Sequence, residues 1–184
     1  RSIVEDIKKV EKNIKLLDIY PGNGIDIKRI VAVQTRGKKI YDAIFASAIV
    51  REKGIFDAIN TWSLVVKKRP FSRLIIVGKG TEEIVNRVKL YVMRRKLEKN
   101  IIFPCDLTKG VPTLEEVWLL MKQSKILIHP STIDTWPLVV GEALACGLPV
   151  VTYDIAQIKY VYGECLAIFL VPLWDVGAIA TKVV

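Results

Sequence analysis

The chain has 184 residues, of which 51% are hydrophobic and 26% are charged, as suits a soluble globular protein of one domain. Its longest apolar runs are far shorter than the roughly 20 residues of a membrane-spanning helix. Its three scattered cysteines exclude a dense disulfide framework and form no zinc pattern, so we expect free thiols in a reducing compartment. The formal net charge is +9, which favours anionic partners such as nucleotides, nucleic acid or an acidic membrane surface.

The first 38 residues predict a linker region with the first structural elements. Ser2 and Glu5 form a capping-box pattern, and the apolar spacing predicts a helix over residues 2–13. A short strand is predicted over 16–20 and a turn over 21–24, because that turn contains Pro-Gly-Asn-Gly. The basic stretch up to Lys39 is typical of a loop.

From residue 40 onward, apolar runs that predict buried strands alternate with amphipathic helices. Thr113 and Glu116 form a second capping-box pattern. The alternation predicts a three-layer, Rossmann-like α/β domain with a parallel sheet of about six strands. The predicted strands are 40–49, 74–77, 101–103, 126–128, 150–152 and 166–171, and the predicted helices are 53–68, 81–97, 113–123, one at Pro137, 155–162 and one that starts at Asp175.

Residues 129–151 form a strand-to-helix junction followed by another strand. Asp134 and Thr135 can cap the helix, and Pro137 fits its first turn. The helix N-terminus would lie at the carboxyl end of a parallel strand, where ligands bind and exposed N–H groups attract phosphate. Asp134 and Glu142 could both border a crevice there, although a helix cap and a solvated face also explain them.

Three other strand-end junctions have two open interpretations each. Gly78 and Gly80 follow a strand, but Glu83 stands where the dinucleotide fingerprint needs a third glycine, so they indicate a tight turn or a nearby phosphate. Lys53 is either solvated or a point charge that reaches a phosphate. His129, the single histidine, favours a hydrogen-bonded structural role over catalysis.

A run of basic residues lies on the predicted helix 81–97 and just after it. The default interpretation is a solvated face. No aromatic stacking residues or known nucleic-acid module accompany the run, so we expect no nucleic-acid partner. The basic residues are Arg87, Lys89, Arg94, Arg95, Lys96 and Lys99.

Together these motifs resemble the C-terminal domain of a group 1 (family four) retaining glycosyltransferase with the GT-B fold. The family hallmark is matched over residues 130–151, from Pro-Ser, through two acids with seven residues between them, to Gly-x-Pro-Val-Val. The other matches lie in the family's order, so that the resemblance covers about residues 20–175. They are Pro21-Gly22-Asn23-Gly24-Ile25-Asp26, Glu52-Lys53-Gly54, Ile75-Ile76-Val77-Gly78-Lys79-Gly80 and Ile101-Ile102-Phe103.

The resemblance implies a domain that binds a nucleotide-diphospho sugar as donor substrate, with no metal and no cofactor. By position, Lys53 would neutralise the diphosphate leaving group, Asp134 would hydrogen-bond the donor sugar and Glu142 would hold the ribose hydroxyls. These three form the implied catalytic set. The implied donor-binding residues are Lys53, Gly78, Asp134, Thr135, Trp136, Leu138, Val139 and Glu142, with the backbone N–H groups of Trp136, Leu138 and Val139 touching phosphate or sugar.

The sequence departs from the family pattern at three places. Ser47-Ala48 replaces a Gly-Arg pair whose arginine helps to grip the diphosphate, and Arg51 could compensate. Asp134 replaces a longer glutamate, and Pro137 replaces a glycine.

The resemblance implies that residues 1–184 are one donor-binding domain, and the initial Arg, in place of Met, suggests excision from a two-domain enzyme. Joined to its N-terminal acceptor domain, it would transfer a sugar with retention of anomeric configuration, whereas the fragment alone should be inactive. One alternative is a degenerate GT-B domain that acts as a partner-binding or structural module; another is a nucleotide-sugar epimerase. The resemblance implies glycan biosynthesis, and we expect a cytoplasmic protein. Its basic charge could attract an acidic membrane surface, where lipid-linked acceptors reside.

Overall fold

A computed structural model describes residues 24–35, 37–110 and 112–184. The helix predicted over 2–13 and the strand predicted over 16–20 lie outside these residues. The apolar runs form short strands that are buried over most of their length, because helices cover both faces of a parallel sheet. The strands are β1 (Ala43–Ala46), β2 (Leu74–Val77), β3 (Ile101–Ile102), β4 (Leu127–His129), β5 (Val150–Tyr153) and β6 (Ile168–Val171).

These strands form one parallel sheet in the order β3-β2-β1-β4-β5-β6. The chain therefore builds outward in one direction from β1 and in the other from β4. In β1, Ala43 lies opposite Leu74 of β2, and Ile44 lies opposite Leu127 of β4. Such a reversal is a topological switch point, and a crevice opens there beyond the carboxyl ends of the two central strands.

Seven α-helices and a 3-10 helix accompany the described strands. On one side of the sheet α2 packs against α3 and α7, and on the other α4 packs against α1 and α5. No helix in the described part of the chain is long and apolar enough to cross a membrane. The helices are α1 (Ile27–Ala32), α2 (Ile55–Lys68), α3 (Glu82–Arg94), α4 (Leu114–Lys122), α5 (Leu138–Ala145), α6 (Ala156–Tyr162) and α7 (Val176–Val183), and the 3-10 helix is Arg51–Lys53.

The polar residues predicted to start helices do so at three positions. The capping box of α4 is confirmed: Thr113 Oγ1 accepts a hydrogen bond from the Glu116 N–H at 3.3 Å, and Glu116 Oε2 accepts one from the Thr113 N–H at 2.7 Å. Thr81 caps α3, and Asp175 caps α7. Local side-chain chemistry therefore determines these helix starts.

Helix α1 lies in the stretch that was expected to be a loop, so that prediction is wrong. The helix has six residues, too few to show a clear period. Asp26 caps its start, and Lys122 Nζ donates to the carbonyls of Ile30 at 2.6 Å and Val33 at 2.7 Å at its end. A long-range contact from α4 thus stabilises α1.

Strand β1 is shorter than the apolar run 40–49 that predicted it. Tyr41 forms only an isolated bridge with Ser124, and the four residues of β1 are followed by Ser47, whose N–H still donates to the Val77 carbonyl at 3.0 Å. The rest of the run leaves the sheet, because the chain there turns toward the 3-10 helix. The run therefore located the buried strand at its centre correctly but gave the strand boundaries incorrectly.

Candidate functional site

The 3-10 helix that follows β1 lies against the loop that follows β4. Gly54 has φ +76°, and a Cβ placed there would lie 2.0 Å from the carbonyl oxygen of Pro130. Only glycine permits both this conformation and this approach. The Thr132 N–H donates to the Glu52 carbonyl at 2.9 Å and joins the two loops. The glycine after Lys53 therefore brings that lysine beside the residues that follow β4.

Lys53 and Asp134, two predicted site residues, form an ion pair. Lys53 Nζ lies 2.7 Å from Asp134 Oδ2 and also donates to the Ile133 carbonyl at 3.3 Å. His129, at the end of β4, has its Nε2 atom 3.4 Å from the same carboxylate oxygen and makes no hydrogen bond of standard geometry. One cation and one imidazole therefore flank a carboxylate whose side chain is 9% exposed.

The carboxylate of Asp134 is ionised at all ordinary pH values. Burial by itself raises its pKa, but the contacts with His129 and Lys53 outweigh burial and lower the pKa from the ordinary 3.8 to about 2. The site therefore holds a fixed negative charge next to a lysine that is 26% exposed.

The expectation that Asp134 and Thr135 cap the following helix is wrong. Helix α5 begins at Leu138, its N-cap residue is Pro137, and no side chain caps it. Asp134 is engaged with Lys53 instead, because that long-range ion pair holds its carboxylate away from the helix. The start of α5 thus lacks the capping carboxylate that the sequence predicted, and its partial positive charge remains available to a ligand.

The three backbone N–H groups predicted to touch the donor differ in their contacts. The Leu138 N–H donates to the Trp136 carbonyl at 2.8 Å. Those of Trp136 and Val139 have no hydrogen-bond partner among the described residues. Their hydrogen-bonding capacity is available at the start of α5.

A cavity of about 320 Å³ opens beyond the carboxyl ends of β1 and β2, and Glu142 and Gly78 both line it. Gly78 has φ +153°, and a Cβ there would lie 1.8 Å from the Ser47 carbonyl oxygen. The lack of a side chain at Gly78 thus permits close packing of the ends of β1 and β2, and Gly78 also borders the crevice. The lining residues are Ala46, Ser47, Ala48, Val77, Gly78, Lys79, Val117, Val139 and Glu142.

Glu142 lies on α5, and burial raises the pKa of its carboxyl group. The Tyr162 hydroxyl donates to the Pro137 carbonyl at 3.3 Å, and its own pKa is raised by burial and by the charges of Asp134 and Glu142. The Tyr162 hydroxyl would also lie 2.9 Å from a Cβ placed on Gly141, so this phenol packs against α5 next to Glu142. Sequence reasoning missed Tyr162, because α6 has no sequence signal that places it over α5.

Of two cations near the site, Arg51 does not lie where its sequence position suggested, and Lys79 was not predicted as a site residue. Arg51, considered as a substitute for the arginine that Ala48 replaces, has its guanidinium 5.8 Å from the Phe56 ring centroid and does not line the crevice. Lys79 does line it, together with Ala48. The Gly-Lys-Gly sequence after β2 was the signal for Lys79, since the residue after a strand reaches the carboxyl edge.

Comparison with known proteins identifies the family of this chain. The family model for glycosyl transferases group 1 matches residues 26–183. The poly(glycerol-phosphate) alpha-glucosyltransferase of Bacillus subtilis is 31% identical over 151 residues, which are 82% of this chain and 21% of that protein. The alpha-monoglucosyldiacylglycerol synthase of Acholeplasma laidlawii is 32% identical over 61% of this chain and 27% of that protein. The chain thus spans about a quarter or less of the length of these two relatives.

Solved structures share the fold. A TarM mutant from S. aureus, in complex with fondaparinux, alpha-GlcNAc-glycerol and UDP, superposes with a TM-score of 0.75 at 18% identity, over 99% of this chain and 35% of that one. The C-terminal domain of the group 1 glycosyl transferase LpcC from Francisella tularensis has a TM-score of 0.73 at 19% identity, over 86% of this chain and 85% of that one. The fold is that of the C-terminal half of a GT-B enzyme, and the chain belongs to the group 1 glycosyl transferase family.

Proposed function

We propose that this domain binds a nucleotide-diphospho sugar and, with an acceptor-binding domain, transfers the sugar with retention of configuration. One observation carries the proposal: Lys53 and Asp134 pair at 2.7 Å beside the uncapped start of α5. Two solved structures with this fold, those of the TarM mutant and of HepE from Anabaena, are complexes that contain UDP. Both named curated relatives form alpha linkages, the outcome of retention when the donor is alpha-linked.

The diphosphate is the charged part of the donor, and its negative charge grows as the sugar–phosphate bond breaks. The N–H groups and dipole of α5, together with the Lys53 ammonium, would stabilise that charge. Asp134 holds the ammonium in place before the donor arrives. Since Lys53 Nζ has three donors, it can keep Asp134 while it contacts a phosphate oxygen.

The two acids suit two different hydroxyl ligands. Asp134 is ionised, with a pKa of about 2, and accepts hydrogen bonds from hydroxyls of the donor sugar. Burial has removed part of the water around Glu142 and has raised its pKa. A ribose diol would restore two hydrogen bonds to that carboxylate. Asp134 would thus bind the sugar on one side of the diphosphate, and Glu142 would bind the ribose on the other side.

Lys79 would supply the second cation for the diphosphate. The family's arginine is replaced by Ala48, and Lys79 lines the same crevice as Ala48 and Glu142. An ammonium is a point charge and lacks the planar fork of a guanidinium. We therefore expect Lys79 to attract the diphosphate more weakly than the family's arginine would.

Calorimetry of the chain with UDP, GDP and ADP tests the proposal. We expect at least one to bind, Lys53→Ala to weaken binding about tenfold through the loss of a charge-assisted contact, and Glu142→Gln to weaken it less. The matched control is Lys125→Ala, which removes a lysine paired with Asp42 at the same 2.7 Å elsewhere in the fold. A folded chain that binds none of the three nucleotides would favour the degenerate, partner-binding module, for which the alanine at position 48 is the supporting observation.

A further inference from the structure

Another concave surface lies between α2 and α3, separate from the crevice that Glu142 lines. It encloses about 400 Å³, and three arginines line it: Arg51 from the 3-10 helix and Arg87 and Arg94 from α3. We call this surface the arginine groove. The two helices are held together there by an edge-to-face contact between Phe56 and Tyr91, with ring centroids 5.2 Å apart.

The arginine groove has more cations than carboxylates to pair with them. Arg51 and Arg94 form no ion pair with a described carboxylate. The ion pair between Arg87 and Glu83 is long, at 3.9 Å, and exposed to solvent, so it engages Arg87 weakly. The single acid in the lining is Asp57, whose Oδ2 accepts a hydrogen bond from the Tyr153 hydroxyl at 2.8 Å. The guanidinium groups therefore retain donors for an external anion.

The polar residues of the groove also present donors. The Tyr91 hydroxyl donates to Asn60 Oδ1 at 2.8 Å and accepts from Arg95. This arrangement satisfies the acceptor atom of Asn60, and its amide nitrogen has no hydrogen-bond partner among the described residues. The lining thus favours a ligand rich in acceptor oxygens.

The spacing of the arginines favours a ligand with several anionic groups. Arg87 and Arg94 are seven residues apart on one helix, which is two turns or about 10 Å. Planar guanidinium groups bind phosphate oxygens in pairs. The surface is concave, so an extended chain can enter it, whereas a flat membrane surface would contact only its rim.

The groove leads toward the proposed donor site. Arg51 is two residues from Lys53 in the same 3-10 helix. A neighbouring cavity of about 360 Å³ shares Arg51 and Asp57 with the groove and extends to Gly54 and Trp174. Trp174 is 63% exposed and has φ +69°, a conformation that bulky residues rarely adopt. The lining of this cavity also includes Glu52 and Thr132, which join the two loops of the proposed donor site, and Trp174 offers an exposed aromatic face in the same cavity.

We propose that the arginine groove binds the phosphodiester backbone of an anionic acceptor chain and directs one unit of that chain toward Lys53 and Asp134. This assignment names the acceptor class of the transfer proposed above and rests on that function. The arginines would contact successive phosphates, and Trp174 would stack on a sugar or polyol unit near the reacting end.

The test is calorimetry of the chain with a short synthetic glycerol-phosphate oligomer, which has one charge per unit and no base that could stack. We expect binding that weakens with added salt. The double variant Arg87→Gln/Arg94→Gln should bind about tenfold more weakly or worse, as two charge-assisted contacts are lost. The matched control is Lys89→Gln/Lys99→Gln, which removes the same charge in the same region from residues that do not line the groove.

Equal loss in both double variants, or no binding of the oligomer by the folded parent chain, would overturn the assignment. So would binding of phosphatidylglycerol vesicles without binding of the free oligomer, since that result assigns the charge to a membrane. Nucleotide binding by each variant is measured in parallel and should equal that of the parent. If no nucleotide binds and the oligomer still needs Arg87 and Arg94, the transfer function fails and the phosphodiester site stands.

Discussion

Two lysine–aspartate pairs lie at opposite ends of the same two strands, β1 and β4. At the carboxyl ends, Lys53 and Asp134 are 2.7 Å apart; at the amino ends, Lys125 and Asp42 are also 2.7 Å apart. The chemistry and the distance are the same. The side chains of the first pair are 26% and 9% exposed, and those of the second are 56% and 25% exposed.

The surroundings give the two pairs different capacities. Asp42 also accepts a hydrogen bond from the Arg73 N–H at 2.9 Å, so the amino-end pair links the starts of neighbouring strands in a solvated setting. Asp134 instead contacts buried His129, and the start of α5 lies close by in the chain. The geometry of an ion pair alone does not make it a binding site. Partial burial beside a helix N-terminus and an open crevice makes the carboxyl-end pair suited to binding.

The largest expected effect comes from the glycine that positions the carboxyl-end pair. Gly54→Ala should destabilise the domain by about 3 kcal/mol or more, because the new Cβ would meet the Pro130 carbonyl at 2.0 Å in addition to the strain of φ +76°. The matched control at the amino edge is Gly147→Ala, with φ +71° and no atom within 4 Å of the Cβ. It should cost about 1 kcal/mol, from backbone strain alone. Urea unfolding of both variants measures the difference; equal costs would contradict the role assigned to the Pro130 contact.

The second test compares the two aspartates in acid. The pKa of Asp134 is lowered to about 2. Burial by itself raises the pKa of Asp42, but the hydrogen bond from Lys125 and the other contacts outweigh burial, so that this pKa is also lowered. A lowered pKa adds stability above the unfolded value near 3.8 that is lost as the pH falls toward the folded value. For Asp134 this amounts to about 2 kcal/mol.

Asp134→Asn should therefore flatten the loss of unfolding free energy between pH 4 and pH 2, and Asp42→Asn should flatten it less. Urea titrations at several pH values measure both slopes. If the two variants retain the parent's slope, Asp134 does not hold the charge that the site requires.

These comparisons also show which features could be predicted from the sequence. The strand over residues 74–77 and the capping box at Thr113 were predicted correctly, since each depends on neighbouring residues. The contact between Lys53 and Asp134 joins residues 81 positions apart, and the local pattern at Asp134 favoured a helix cap. Resemblance to a family placed both residues in one site, but only the fold shows that they pair.

The same distinction applies to the cations of the crevice. Ala48 is visible in the sequence as a lost arginine, and Arg51 was the nearest candidate along the chain. The structure places Arg51 in the arginine groove and Lys79 in the crevice, because β2 lies next to β1 in the sheet. Strand order is a long-range property, and no local pattern gives it.

The smallest expected effect is that of Lys79 on nucleotide binding at the carboxyl end. Lys79 is exposed and acts as a point charge, so Lys79→Ala should weaken binding of a nucleoside diphosphate about fivefold, or about 1 kcal/mol. Ala48→Arg in the same variant should restore the affinity, since both residues line one crevice and a guanidinium can bind two phosphate oxygens. The nucleoside monophosphate serves as the control, because it lacks the second phosphate and should respond less to either change. Calorimetry of the parent and the two variants with both nucleotides measures the six affinities. A loss in Lys79→Ala that Ala48→Arg does not restore would mean that Lys79 acts elsewhere than on the diphosphate.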